Sequence, residues 1–189
     1  MKDRLKNYLQ QARDVMLWKL DGVSEYDVRR PMVPTGTNLL GLVKHVATMD
    51  AIYFGETFAR PFPETFPWTA DDAEPSSDLW ATAGESREFI VDLYQRVWKH
   101  SDETIDALDL DALGTVRWWN PETATTSLHR ILVHMIAETN RHAGHADILR
   151  ELIDGSVGHR AENDNLDANG GSWEAYRAKL EEIARTAQL

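Results

Sequence analysis

The chain has 189 residues, a formal net charge of -11, 42% hydrophobic and 27% charged residues, and no cysteine. The length suits one domain over 1–189 with room for a real core. The acidic surplus repels phosphate backbones and anionic bilayers, which argues against nucleic acid or a membrane surface as partners. Without cysteine there are no disulfides, thiolate metal sites or cysteine nucleophiles. Metal ligands must come from His, Asp and Glu, and any thiol chemistry must use a thiol brought by a small molecule. No apolar run is long enough to cross a bilayer. The opening Met1-Lys2-Asp3-Arg4-Leu5-Lys6 leads into an amphipathic segment rather than a secretory signal, so the expected compartment is the cytoplasm.

Leu5, Leu9, Ala12, Met16 and Leu20 recur at helical steps and predict a first helix from Lys2 to Leu20, ended by Asp21-Gly22. Asp27 to Thr37, with Pro31 and Pro34, reads as loop. Thr37 or Asn38 caps a second helix that fades near Arg60. Its apolar face is Leu39, Leu42, Val46, Met49 and Tyr53, with His45 projecting close by. Residues 61–75 hold Pro61, Pro63, Pro67 and Pro75 and read as a long crossover loop. Ser76 or Ser77 is expected to cap a third helix through Leu79, Ala83, Ile90, Tyr94, Val97, Ile105 and Leu108, broken or bent once before Leu110. Leu113 to Thr125 is a second connection and carries Trp118-Trp119-Asn120-Pro121. The fourth helix starts near Thr126 or Ser127 and ends at Asp154-Gly155. Residues 156–171 read as a polar, Gly-rich loop, and Ser172 caps a short final helix through Trp173, Tyr176, Leu180 and Ile183. No strand is expected. The architecture is all-α: four long helices, two long connections and a C-terminal helix.

The fourth helix carries the chemistry. At about 100° per residue, His134, Glu138, His142 and His145 fall in one stripe, continued by Ile131, Leu149 and Leu152. The apolar ends turn the stripe toward the core, where unpaired polar groups cost roughly 2–7 kcal/mol each. A divalent cation satisfies them: imidazole nitrogens and one carboxylate suit Zn, Ni, Fe(II) or Mn. The i, i+4 spacing of Glu138 and His142 puts both on one face. His45, the one histidine in the first two helices, supplies a third ligand from a facing helix. Three protein ligands leave positions open, as in catalytic rather than structural sites. The alternative is a polar layer satisfied within the bundle, or surface histidines. A lone His would favour it; four ligand-type residues on one core-facing stripe do not. Phase alone leaves the ligand pair open between Glu138 with His142, His142 with His145, and His134 with Glu138.

The run Glu138-Thr139-Asn140-Arg141-His142-Ala143-Gly144-His145-Ala146-Asp147-Ile148-Leu149-Arg150-Glu151 resembles the signature helix of the DinB-like (YfiT-like) metalloenzyme superfamily. More narrowly, it resembles an actinobacterial branch of domains of unknown function related to mycothiol-dependent enzymes. Trp18-Lys19-Leu20-Asp21-Gly22-Val23-Ser24, Thr37-Asn38-Leu39-Leu40-Gly41-Leu42-Val43-Lys44-His45-Val46-Ala47 and Gly158-His159-Arg160-Ala161-Glu162-Asn163-Asp164 resemble that branch too, in the expected order. The resemblance implies an up-down-down-up four-helix bundle and a divalent metal, usually zinc or nickel, held by three side chains. It selects His45, Glu138 and His142 as ligands. It also implies transfer or isomerisation chemistry with a low-molecular-weight thiol such as mycothiol. The isomerase relatives carry a further C-terminal domain, whereas this chain ends after one short helix, so maleylpyruvate isomerisation is not expected.

His134 and His145 are read as catalytic or pocket residues that move a proton, beside rather than on the metal. Asp50 sits too far round the helix from His45 to share its face and is read as structural or at the pocket rim. Trp118 and Trp119 are read as packing anchors before pocket caps. Arg141 and Arg150 are read as ion-paired with nearby acids before anion receivers. His100 and His159 are expected to be exposed, and Asp71-Asp72 to be a solvated loop pair. The function expected is thus metal-dependent thiol transfer or isomerisation on a small electrophilic substrate. A metal-dependent hydrolase and a non-catalytic metal-binding module are the alternatives. A two-fold homodimer is the expected assembly.

Overall fold

A computed structural model describes residues 1–161, 166 and 172–187. The Glu162-Asn163-Asp164 end of one family-like segment, and most of the loop expected at 156–171, lie outside the described residues. The fold is all-α and DinB-like. Four long helices form the bundle: α1 (Lys2–Trp18), α3 (Leu39–Phe54), α4 (Arg87–Ala107) and α6 (Leu128–Asp154). Between them lie the short α2 (Glu25–Arg29) and α5 (Pro121–Ala124), and α7 (Trp173–Thr186) follows as the extra C-terminal helix. Among the described residues, no helix is long and apolar enough to cross a membrane.

Side-chain caps set where the bundle helices start. Asn38 accepts from the Gly41 N–H, Ser86 from Phe89 and Ser127 from Arg130. Each satisfies an otherwise orphaned donor of a first turn, worth about 1 kcal/mol. At the far end of α6, Gly155 takes a left-handed φ of 78° and ends the helix.

The core contacts give the connectivity. Leu9 of α1 packs with Phe54 of α3 and with Leu128, Ile131, Leu132 and Met135 of α6. Met16 instead joins Leu39 and Leu40 of α3 and Ala146 and Leu149 of α6. So α1 and α6 run one way and α3 the other. The 32 residues after Phe54, through Ser86, bring the chain back to the start of α3 before α4 begins. Ile90 then packs with Leu39, while the Ser101 hydroxyl reaches the Asp50 carbonyl, so α3 and α4 are parallel. The order is up, down, down, up.

A buried ion pair crosses this frame. Arg13 of α1 forks onto Asp50 of α3, Nε to Oδ2 at 3.0 Å and Nη2 to Oδ1 at 3.1 Å, and its Nη1 reaches Asp102 of α4. Asp50 is therefore a core partner and not a pocket group.

Four expectations need correction. The third helix starts at Arg87, capped by Ser86, rather than at Ser76 or Ser77; residues 77–79 form a single 3-10 turn held against α3. Among the described residues there are two short strands, β1 (Leu113–Thr115) and β2 (Thr125–Ser127), paired antiparallel across the second connection. The loop expected at 27–37 is partly the helix α2, capped by Ser24. Finally, Leu152 is exposed and not part of the core stripe. Its neighbour Arg150 already reaches the carbonyls of Trp18 and Lys19 at the end of α1, so α6 overhangs its partner beyond that level.

Candidate metal centre

Helix α3 presents His45 and helix α6 presents Glu138 and His142, one turn apart. The antiparallel packing of these helices brings the three together. His142 Nε2 lies 2.9 Å from Glu138 Oε1, and His45 Nε2 lies 3.6 Å from the same oxygen. One ligand-type atom from each residue falls within 4.8 Å of the others, and among the described residues no other group of three or more does so. The two imidazoles meet edge to face, 4.7 Å between centroids. His142 is 6% exposed, and its Nδ1 is buried without a hydrogen-bond partner among the described residues.

The electrostatics keep this set ready for a cation. Burial, then the nearby His45, holds the His142 pKa below the ordinary histidine value, so a ring lone pair is free at neutral pH. Burial pushes the Glu138 carboxyl up, but the hydrogen bond from His142, with the Arg141 guanidinium nearby, holds the group below its usual range. Two neutral imidazoles and one carboxylate leave a divalent ion one net positive charge, with coordination positions still open. The Nε2 atoms of His142 and His45 both face Glu138 Oε1, so two nitrogens and one oxygen meet at one point. The donor set therefore fits a divalent metal.

The sequence model of the mycothiol-S-transferase family matches residues 4–155. That span runs from the first turn of α1 to the cap of α6 and contains all three converging residues. The chain belongs to the mycothiol-S-transferase family. A comparison with the curated proteins returns no match.

In this mycothiol-S-transferase family member a cavity of about 550 Å³ opens beside the centre, reaching it at His142. His142 and His145 line it from α6, Leu42 from α3, and Leu79 and Trp80 from the crossover segment. His145 is exposed, with its ring 5.3 Å from that of His142. His134 sits elsewhere. It is half-buried, one turn before Glu138, against Tyr53 at 4.7 Å and Trp119 at 5.4 Å. Trp119 donates to the Tyr53 hydroxyl and anchors the second connection, and Trp118 lies half-exposed on the same tyrosine. Arg141 lines the cavity, 62% exposed and 3.7 Å from Glu138, while Arg150 is buried in a pair with Asp154. His159 is exposed as expected, but His100 is half-buried, bonded to the Arg60 carbonyl.

One site residue escaped the sequence reading. Asp78 Oδ2 lies 2.6 Å from His45 Nδ1. The hydrogen bond to His45 holds the Asp78 carboxyl below its usual value. Nothing in the local pattern marks Asp78, because the contact spans 33 residues.

Burial lowers the His134 pKa from 6.5, and only the nearby Glu138 opposes this. A group with a depressed folded-state pKa contributes stability that is intact above the unfolded value and lost as pH falls through the folded one. Acidification from pH 7.5 to 5.5 is therefore expected to lower the melting temperature of the metal-free native protein more than that of His134→Gln. Equal losses would mean that His134 is not held neutral by the fold.

Proposed function

We propose that this chain is a divalent-metal-dependent transferase that joins the sulfur of a low-molecular-weight thiol of the mycothiol type to a small electrophile. Convergence of His45, Glu138 and His142 beside a cavity of about 550 Å³ carries this reading. Those three residues would hold the metal, with zinc the first choice and nickel, iron or manganese accepted by the same donors. A bound divalent cation supplies the preference for thiolate over thiol at neutral pH.

The remaining work falls to the chain itself. His145, exposed at the cavity wall, takes the thiol proton on a ring nitrogen and passes it to solvent. The sulfur then forms its bond to the electrophilic carbon as the leaving group departs with the bonding pair. His134, enclosed by Tyr53 and Trp119, is a second proton acceptor beside Glu138, without the same open route to water. Leu42, Leu79 and Trp80 give the cavity apolar walls suited to the electrophile. Family membership and the absence of cysteine both support a thiol that arrives from outside. The reading places the reaction in the cytoplasm, in a protein that pairs as a two-fold dimer by the commonest symmetry.

Co(II)-loaded protein is expected to change its visible spectrum when mycothiol is added, and to form the S-conjugate of an alkyl halide by mass spectrometry. An unchanged spectrum and no conjugate would sink the thiol reading. Ester hydrolysis by the loaded protein without thiol would favour a hydrolase instead.

A further inference from the structure

The acid that His45 meets comes from neither of the helices carrying the three converging residues. Asp78 lies in the 3-10 turn Ser77–Leu79 of the crossover segment, and its Oδ2 is 2.6 Å from His45 Nδ1. Both side chains are mostly buried, 15% and 21% exposed. An ionised carboxylate offers only acceptors, so the imidazole proton sits on Nδ1 and the Nε2 lone pair is free. Nε2 is also the nitrogen nearest Glu138 Oε1.

We infer that Asp78 is a positioning residue that holds His45 in the one tautomer and ring rotation aiming a lone pair at Glu138 and His142. The inference rests on the reading of His45 as a metal ligand.

The turn is built to hold that carboxylate still. Successive turns of α3 grip it. The Asn38 side-chain amide reaches the Leu79 carbonyl at 3.4 Å, and Lys44 Nζ donates to the Trp80 carbonyl at 3.0 Å. Between them Gly41 lets the backbones meet, because a Cβ there would stand 1.8 Å from the Leu79 oxygen. From the other side the Ser77 hydroxyl donates to the Trp68 carbonyl. Ser76 enters the turn at φ 62°, a left-handed conformation that a non-glycine residue keeps only when its surroundings demand it. Ser76, Leu79 and Trp80 line the cavity beside His142. One turn thus shapes the cavity wall and orients a nitrogen of the centre, so a shift in the wall is felt at His45.

The test uses the full chain. In metal-free native protein, ring ¹⁵N shifts of His45 are expected to report Nδ1–H with Nε2 unprotonated. Asp78→Ala is expected to let the Nε2–H form dominate and to weaken Co(II) binding by about 10–100-fold in chelator competition. Asp78→Asn keeps an acceptor oxygen and is expected to recover part of both readouts, which a merely space-filling role would not require. Should Asp78→Ala fail to fold, Asp78→Leu fills the space without an acceptor and is expected to show the same two losses. Native Co(II) affinity in the alanine or leucine protein would overturn the inference, as would an unchanged His45 tautomer. A native protein that binds no Co(II), yet whose tautomer depends on Asp78, would overturn the metal reading and leave the grip of Asp78 on His45 standing.

Discussion

His142→Ala is expected to bind Zn(II) or Co(II) more than about 100-fold less tightly than the native chain, whereas His145→Ala stays within a few-fold of it. The bound follows from a comparison of roles: losing a partner outside the coordination sphere already costs about 10–100-fold, so losing a ligand must cost more. The contrast between the variants follows from geometry. His142 is buried, with one nitrogen on Glu138 and the other without a partner among the described residues, while His145 is exposed at the cavity wall. Chelator competition on purified protein measures both. Loss of the metal in both variants would move the ligand pair to the i, i+3 alternative, His142 with His145, while retention in His142→Ala would leave His134 with Glu138. His145→Ala should instead lose transfer rate at saturating metal, since its proposed work is on the proton.

Helical phase placed four ligand-type residues on one side of α6, and that much was legible because the helix is long and unbroken, Leu128–Asp154. Phase does not see depth. His134 and His145 share a stripe with His142, yet one packs among Tyr53 and Trp119 and the other faces solvent. The choice of Glu138 and His142 came from family resemblance, not periodicity. Asp78 was invisible for a different reason: its partner is 33 residues away, and only the packing of the crossover segment on Gly41 brings them together. The same packing explains the misplaced start of the third helix. Leu79 and Ala83 fit a helical period, but Leu79 and Trp80 lend their carbonyls to Asn38 and Lys44 on α3, and the helix waits for Ser86. The strands β1 and β2 span three residues each, too short for any alternation to register.

Asp50→Ala is expected to destabilise the metal-free protein by about 3–5 kcal/mol, because it leaves the Arg13 guanidinium buried with Asp102 as its only remaining charged partner among the described residues. Both side chains of the pair are 1% exposed, so water cannot replace the lost carboxylate. At about 2–4 °C per kcal/mol for a chain of this size, the melting temperature should fall on the order of 10 °C. Replacing both partners with apolar residues, Arg13→Met with Asp50→Leu, should cost much less, since no charge is then stranded. A double variant as damaged as the single one would show that the pair holds α1, α3 and α4 by its hydrogen bonds rather than by avoiding an unpaired charge. Metal separates this structural role from the centre. A ligand present at 100 times its Kd adds about 2.7 kcal/mol to any fold that binds it. That increment should survive in Asp50→Ala, where His45, Glu138 and His142 are untouched, and vanish in His142→Ala. Loss of the increment in Asp50→Ala would mean that α3 needs Arg13 to hold His45 in place.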